Sequence, residues 1–317
     1  MAYPISGSPY SGAAANPAYS GVFIPTLWSG KLIEKFYDAT VLAAISNTDY
    51  AGEIKNLGDT VKIRSKPSIT INTYQATQSL TVERPSSAVI DLLIDQGRYF
   101  NTVLDDVMEV QSDVKLMNIW SEDASEQMKI NIDTYVLGQI DAGINAANKG
   151  ATAGRIAGDV DLGTTGAAIT VGNGVSDTTP ITAITRLGQV LDEQNIPETG
   201  RWIVIPAWFA AMIKRSELRD ASLSGDGTSI ARNGRLGMID RFTLYVSNLT
   251  PTVSDTGTKY RVFAGHSGGL TFASQLKNVE TLRAESTFGT LMRGLQVFGF
   301  KVIDGTAVAE LYCNAGT

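Results

Sequence analysis

The sequence has very little of the chemistry that enzymes use. Its 317 residues include a single histidine, His266, and a single cysteine, Cys313. A nucleophilic mechanism needs a base beside its nucleophile, and nothing around Ser267 resembles a nucleophile turn. One histidine and one cysteine also argue against a transition-metal site, and no glycine-rich stretch matches a nucleotide-binding motif. We therefore expect a protein that is not an enzyme and that has no catalytic residues, no metal and no cofactor.

Charged residues and long apolar runs are scarce as well. Charged side chains make up 18% of the chain, below the quarter that is typical of soluble domains. A surface with few charges favours a protein that is in contact with other proteins. The net charge of −6 argues against wrapping nucleic acid, although DNA could still lie nearby. No apolar run reaches the roughly 18 residues of a membrane span. The N-terminus has no signal-peptide pattern, and one cysteine makes no internal disulfide. We expect a soluble cytoplasmic protein with no membrane partner.

The N-terminal segment has a composition of its own. Residues 1–21 contain no charged side chain and are rich in Ala, Gly, Ser, Pro and Tyr, so they cannot bury a core of their own. Two interpretations stay open, a disordered tail or an arm that becomes ordered against a neighbouring molecule. Tyr10 and Tyr19 are candidate docking residues of such an arm. Residues 26–46 then carry apolar side chains at helical spacing and predict a helix.

After Asp49 the period of the apolar residues changes to two. Residues 60–64, 68–74 and 80–84 each alternate between apolar and polar side chains, as half-exposed strands do. Prolines between them are typical of edge strands or bends. We predict a long, exposed, hairpin-like loop that extends towards a partner. Its candidate contact residues are basic or aromatic: Lys62, Arg64, Lys66, Tyr74 and Arg84.

The longest helical pattern covers residues 103–147. Apolar residues from Val107 to Tyr135 follow a three–four spacing, and some 40 helical residues would give a rod of about 60 Å. Carboxylates near the start suit the positive end of the helix dipole, and others keep the opposite face polar. These acidic residues are candidate contacts for basic residues of a neighbouring molecule: Asp105, Asp106, Glu109, Glu122 and Glu126.

The second half of the chain alternates helices with strands and indicates a separate α/β lobe. Residues 150–179 predict a loop or small β insertion, and residues 220–235 a polar loop. Predicted helices cover residues 181–193 and 207–218. Predicted strands cover residues 200–206, 242–246, 260–264, 279–284, 295–302 and 307–312.

Three stretches, together with this order of elements, carry a resemblance to a known family. They are Phe23–Gly30 leading to Gly58–Val61, the buried strand Gly200–Pro206, and Gly234–Gly237 leading to Phe242–Asn248. Each stretch is a structural pattern and contains no catalytic or ligand-binding motif. The order of the three stretches identifies the family more specifically than any single stretch does. The chain resembles the major capsid protein of tailed bacteriophages, which has the Hong Kong 97-type fold.

The resemblance implies an α+β fold and a domain map that spans nearly the whole chain. The expected parts are an N-terminal arm (1–25), an N-terminal helix (26–48), an extended loop (49–98), a peripheral domain with a spine helix (99–149 and 266–317), an insertion (150–179) and an axial domain (180–265).

The resemblance also implies a function. It predicts a coat protein that self-assembles as hexamers and pentamers into an icosahedral shell around double-stranded phage DNA. It implies a separate scaffolding protein and a portal, leaves room for a decoration protein, and places the product in the virion after assembly in the host cytoplasm. Two alternatives stay open: a nanocompartment shell of the same fold, and an α/β hydrolase or binding module built on residues 180–265.

Some members of the family form a covalent cross-link between a loop lysine and a peripheral-domain asparagine. Lys62 or Lys66 and Asn278 or Asn314 are available for such a bond, and nothing in the sequence singles out a pair.

Overall fold

The computed structural model describes most of the chain beyond residue 39. The described residues are 40–49, 60–65, 67, 69–87, 89–106, 116–172, 177–216, 237–285 and 288–316, with backbone alone at 116 and 275–279. All of them fall within one unit of the chain, residues 36–317.

Helices and strands are mixed along the chain, which confirms the predicted α+β class. Among the described residues the helices are α1 (Leu42–Ile45), α2 (Leu116–Gln139), α3 (Pro180–Glu193) and α4 (Ala207–Arg215), with 3-10 turns at Ile140–Gly143, Ala146–Asn148 and Gly305–Ala307. The strands are β1 (Thr60–Arg64), β2 (Val89–Leu93), β3 (Gln96–Asp105), β4 (Ile169–Val171), β5 (Arg201–Ile205), β6 (Met238–Ile239), β7 (Phe242–Val246), β8 (Thr252–Ser254), β9 (Thr258–His266), β10 (Leu270–Arg283), β11 (Gly289–Val302) and β12 (Val308–Ala315).

A seven-stranded sheet forms the larger core. Its order is β4-β12-β9-β5-β7-β6, with β8 paired to β9. Strand β5 is buried at every residue because both faces of the sheet are covered. Ile203 and Ile205 pack with helices α3 and α4, whereas Trp202 and Val204 pack in the cluster that contains helix α2. The predictions of β5, β7, α3 and α4 are confirmed.

A second, three-stranded antiparallel sheet of order β10-β11-β3 lies with helix α2. One stripe of α2, which includes Ile132 and Val136, packs in a cluster with Phe298 of β11. The helix gives way to the turn Ile140–Gly143, where a Cβ on Gly143 would lie 2.6 Å from the Cβ of Val302. Only glycine allows this approach of the helix end to β11.

A strand occupies the first residues of the predicted long helix. Residues 96–105 form strand β3, which pairs with β11 from Gln96↔Phe298 to Asp105↔Gly289. The prediction of helix from residue 103 is wrong for 103–105, and residues 107–115 lie outside the described residues. The described helix, Leu116–Gln139, has 24 residues and is about 36 Å long.

Three further expectations need correction or lie wholly or partly outside the described residues. Residues 308–315, grouped with 266–317 in the expected peripheral domain, pair as β12 with β4 and β9 in the seven-stranded sheet. Of the predicted helix over residues 26–46, only Leu42–Ile45 is described, as α1. The predicted loop at 220–235 lies outside the described residues.

Candidate inter-subunit interface

The base of the predicted loop is a firmly packed hairpin. Strands β1 and β2 pair antiparallel from Thr60↔Leu93 to Arg64↔Val89. The inward side chains of the hairpin pack with Ala273 of β10 and Val297 of β11. Lys301 Nζ also donates to the carbonyl oxygen of Asp91 at 3.0 Å. The hairpin is therefore part of the body of the molecule, and it fixes where the distal loop begins and ends.

The distal loop, residues 69–87, is extended but pairs with no strand among the described residues. The prediction of strands at 68–74 and 80–84 is therefore wrong for the described residues of those segments. Hydrogen bonds connect the two arms of the loop. Glu83 accepts from the amide of Thr70 at 3.0 Å, and Ser87 Oγ donates to the carbonyl of Ser65 at 2.6 Å. Apart from amides such as those of Thr70, Gln75 and Gln78, which donate within the loop, no β-pairing among the described residues occupies the loop's backbone N–H and C=O groups, and they are open to a partner strand.

Large apolar side chains of the distal loop are open to solvent. Ile71 is 89% exposed, Val82 90% and Tyr74 72%, and Ile69 and Leu80 are exposed as well. Five large exposed apolar side chains in one loop are unusual for a soluble monomer, and such a cluster indicates a protein interface. These apolar side chains have no described part of their own chain to cover them.

Basic residues flank this apolar stretch. Lys62 and Arg64 lie on the exposed face of β1, and Arg84 is exposed on the returning arm. Within the described residues, none of the three forms an ion pair. Lys66 lies outside the described residues. The loop therefore presents positive charges that no described acidic group of its own chain neutralises.

The predicted acidic contacts are spread over two elements. Asp105 is exposed at the end of strand β3, not in a helix. Asp106 is held by Arg283 at 2.7 and 2.5 Å, and this hydrogen bond lowers the pKa of the Asp106 carboxyl. Because Asp106 already has a partner, it is a poor contact for another molecule.

The acidic residues predicted farther along are on helix α2. Glu122 is exposed, whereas Glu126 pairs with Lys129 of the same helix at 2.6 Å. Glu109, Tyr10 and Tyr19 lie outside the described residues. Asp105 and Glu122 are thus the predicted acidic residues that remain available.

A second apolar surface, which the sequence analysis missed, lies on the three-stranded sheet. Tyr99 pairs with Leu295, and Val103 with Leu291, so these residues share one face with Leu282 of β10. Tyr99, Val103, Leu282 and Leu295 are exposed. A groove of about 510 Å³ runs over this face and contains the ion pair Arg293–Glu280 at 2.5 Å. We call this surface the sheet groove. The alternation of residues 96–105 was the signal that could have revealed it.

The asparagines considered for cross-linking lie in different sheets. Asn278 is on β10 opposite Leu295, in the same row as Tyr99 of the sheet groove. Asn314 is on β12, where its Oδ1 accepts from Thr170 Oγ1 at 3.4 Å. Of these two asparagines, Asn278 lies beside the sheet groove and Asn314 does not.

The described residues offer no metal site. They contain no group of three or more His, Cys, Asp or Glu that could hold a metal ion. His266 accepts a hydrogen bond from the amide of Gly268 at 3.0 Å, as a turn residue does. None of the described helices has the length and apolarity needed to cross a membrane.

Comparison with known proteins decides the family. The family model described as phage capsid protein matches residues 92–311, more than half of the chain. The chain belongs to the phage capsid protein family. The sequence matches no curated protein. Membership of this family indicates a structural protein of the virion.

Solved structures similar to this capsid protein show the same fold. A structure from Mycobacterium phage Che8 is 25% identical, with 91% of this chain and 97% of that chain covered and a TM-score of 0.70. The capsid of cyanophage P-SCSP1u is 15% identical, with coverages of 95% and 96% and a TM-score of 0.71. The capsid of a native GTA particle is 13% identical, with coverages of 95% and 100% and a TM-score of 0.63. These similarities confirm the Hong Kong 97-type fold.

Proposed function

We propose that this capsid protein assembles with copies of itself, as hexamers and pentamers, into an icosahedral shell that encloses double-stranded phage DNA. The observation that carries the proposal is the distal loop, whose exposed apolar side chains extend from a hairpin packed into the body. Burial of apolar surface drives most protein association. The exposed apolar side chains of this loop would be buried if the loop packed on a neighbouring subunit, and this burial would favour assembly.

The sheet groove and its surroundings are the proposed receptor for the loop of the adjacent subunit. The groove and the loop both carry large apolar side chains that are exposed in the single chain. Asp105 lies at the end of the groove face, and Glu122 on helix α2 offers a second carboxylate. The loop cations Lys62, Arg64 and Arg84 would meet these carboxylates across the contact. Since the loop and the groove are different surfaces, the contact is heterologous and can close into rings.

The domain map follows from the same likeness. We assign the loop at residues 49–98 to the contact between neighbouring subunits. Residues 99–149 with β10 and β11 are assigned to the peripheral domain, and residues 180–265 with β12 to the axial domain. Assembly in the host cytoplasm with a separate scaffolding protein, a portal and a decoration protein is proposed on the family likeness alone.

The test uses a matched pair of exposed isoleucines. Ile71 in the distal loop is 89% exposed and Ile156, in the turn-rich segment before β4, is 80% exposed. We expect Ile71→Asp, or deletion of residues 66–84, to abolish shells and leave a soluble monomer, which for Ile71→Asp has a mass of about 34 kDa. We expect Ile156→Asp to leave shells intact. Size-exclusion chromatography and negative-stain microscopy measure both results.

Three outcomes would overturn the proposal. Normal particles from the deletion variant would show that the loop does not join subunits. A wild-type monomer whose melting temperature rises with a small ligand would favour a binding module instead. Purified particles that hold a packaged protein and no DNA would favour the nanocompartment shell.

A further inference from the structure

Contacts within the distal loop continue the register of the hairpin at its base. Strands β1 and β2 pair in a fixed antiparallel register. Counted outwards one residue at a time on each arm, this register places Thr70 opposite Glu83 and Gln75 opposite Gln78. Both pairs are in contact: Thr70 donates to Glu83 from its amide at 3.0 Å and from its hydroxyl at 3.4 Å, and the amide of Gln78 donates to the carbonyl of Gln75 at 3.2 Å. The two arms therefore stay in register up to the tip, although no backbone ladder joins them among the described residues.

The turn at the tip of the loop explains why the arms are not paired. Its central residues are Ala76 and Thr77, and of these two Thr77 alone has a positive φ, of 73°. Two-residue turns that suit paired strands have a positive φ at both central residues or at the first one, whereas the other common turns splay the strands. A β-branched residue is also unfavourable at a positive φ. The tip therefore holds the arms apart in the single chain.

The shared register divides the side chains of the loop between two faces of different chemistry. Successive side chains of a strand point to opposite faces, and opposed residues share a face. The first face, which we call the apolar face of the loop, contains Ile69, Ile71, Thr73, Leu80, Val82 and Arg84. The second, which we call the polar face of the loop, contains Thr70, Asn72, Tyr74, Ser79, Thr81 and Glu83. Pairing of the arms would thus gather four exposed aliphatic side chains and one cation on one side.

The sheet groove has the same order of apolar and charged side chains, with the opposite sign of charge. On the groove face Asp105 is exposed two residues after Val103, which shares its row with two leucines of β10 and β11. On the apolar face of the loop Arg84 lies two residues after Val82, which is opposite Ile71. Because the spacing along a strand is the same in both, Arg84 meets Asp105 when Val82 lies on Val103. The charges and the apolar rows are therefore complementary.

We propose that the distal loop closes into a two-stranded hairpin when it docks, and that its apolar face packs on the sheet groove of a second copy of this chain, with Arg84 against Asp105. The inference rests on the proposed function, because it concerns the same contact between subunits. An isolated two-stranded hairpin is marginal in water, and a covered apolar face stabilises it. Closure of the loop and docking on the neighbour are therefore one step, and the polar face stays towards solvent.

The same substitution on neighbouring residues tests which face docks. We expect Ile71→Asp and Val82→Asp to abolish shells, because each buries a carboxylate in an apolar contact. We expect Asn72→Asp and Thr81→Asp, one residue away on the polar face, to leave shells intact. All four side chains are exposed in the single chain, so the four variants should fold alike, which circular dichroism checks.

The deletion of residues 66–84 separates this inference from the proposed function. If the deletion abolishes shells but the four aspartate variants all act alike, the loop joins subunits and the one-sided docking of a closed hairpin is wrong. If the deletion leaves normal shells, both proposals are wrong.

A disulfide across the polar face tests whether the docked loop is closed. Counted from the Gln75–Gln78 turn, Asn72 and Thr81 form a pair without mutual backbone hydrogen bonds, whose Cα atoms would lie about 4.5 Å apart, within the span of a disulfide. The native Cys313 is buried and does not compete. We expect the variant Asn72→Cys with Thr81→Cys, oxidised by glutathione disulfide, to form shells at least as readily as its reduced form. Shells from the reduced form alone, or failure of this disulfide to form, would overturn the closed hairpin.

An exchange of charges tests the sheet groove as the receptor. Arg84→Asp and Asp105→Arg each place like charges across the contact, and each should raise the subunit concentration needed for half-assembly by about tenfold or more. The two substitutions together should return this concentration towards the wild-type value, whereas Arg84→Asp with Glu122→Arg should not. Light scattering across a concentration series measures all four variants. If Asp105→Arg does not rescue Arg84→Asp, the apolar face packs on another surface, such as the loop of a second copy, and the assignment to the sheet groove is wrong.

Discussion

The carboxylate of Asp133 fixes the start of helix α1 against the middle of helix α2. The first amides of a helix have no partner within the helix, and α1 has no side-chain cap at Val41. Asp133 Oδ2 accepts from the amides of Val41 at 2.6 Å and Leu42 at 3.1 Å. Burial raises the pKa of Asp133, and these two hydrogen bonds oppose the rise. One residue of α2 therefore positions the chain just before the loop.

We expect Asp133→Ala to lower the free energy of unfolding by about 1–3 kcal/mol, because two amides lose their acceptor in a buried place. Asp133→Asn keeps one acceptor oxygen and should lose less. Urea unfolding followed by circular dichroism measures both. Glu126→Ala, on an exposed part of the same helix, is the control and should change stability by no more than about 0.5 kcal/mol. A loss from Asp133→Ala no larger than the control would refute the capping role.

Sequence could not have assigned this role to Asp133. An aspartate in a helical pattern predicts a solvated face, and its neighbours Ile132 and Thr134 give no other indication. The partner amides lie more than 90 positions earlier in the chain. Cap contacts between distant elements depend on how the helices pack, which a local pattern does not record.

At the scale of elements, hairpin β1–β2 links the loop to the body through one face only. Val61, Ile63 and Leu92 are buried, whereas Lys62 and Leu93 point outwards. The alternation that predicted half-exposed strands at residues 60–64 is confirmed. It worked because a strand with one covered face shows a period of two in any sequence.

Leu92 and Leu93 form a matched pair for a test of this anchor. Leu92 is fully buried in the hairpin cluster and Leu93 is 47% exposed on the opposite face. We expect Leu92→Ala to cost about 2–5 kcal/mol of unfolding free energy, because a cavity remains between the hairpin and the sheet. Leu93→Ala should cost less than about 1 kcal/mol. Denaturant unfolding measures the difference, and equal losses would show that the hairpin is not anchored by this face.

Strand β3 shows where prediction from the sequence ends. The carboxylates Asp105 and Asp106 suited the first turn of a helix, and the apolar spacing of the following residues extended the helical pattern backwards. The pairing partner of β3 is β11, nearly 200 residues later, so the sequence around residue 100 does not contain the interaction that decides its structure. The sheet groove was missed for the same reason, since it exists only when β3, β11 and β10 align.

At the scale of the whole molecule, the chain is acidic, yet the hairpin and the distal loop present three exposed cations, Lys62, Arg64 and Arg84. The order of elements was enough to predict the fold class and the capsid family. It was not enough to select contact residues, because Asp106 and Glu126 are already paired within the chain. Which charges remain available depends on side-chain geometry.

Salt dependence should reveal the charge contacts between subunits. Each exposed ion pair contributes only about 0.5 kcal/mol, but a shell repeats it many times. We expect replacement of Lys62, Arg64 and Arg84 together by Gln to weaken assembly at low salt. The variant should also be less sensitive to added salt than the wild type, because screening has fewer pairs to weaken.

Light scattering across a salt series measures the assembled fraction. Lys129→Gln is the matched control, since Lys129 already pairs with Glu126 in its own subunit and its loss should not alter the salt dependence. A triple variant with the same salt response as the wild type would show that Lys62, Arg64 and Arg84 do not take part in the contact between subunits.

Strand β12 has a consequence for when the subunit can fold. It lies inside the seven-stranded sheet, between β4 and β9, although it is the last strand along the chain. A nascent chain therefore lacks an interior strand of its larger core until residues 308–315 have left the ribosome. The distal loop is synthesised more than 200 residues before β12. Its exposed apolar side chains are therefore present while the larger sheet is still incomplete, and contacts with other chains must be avoided during that time.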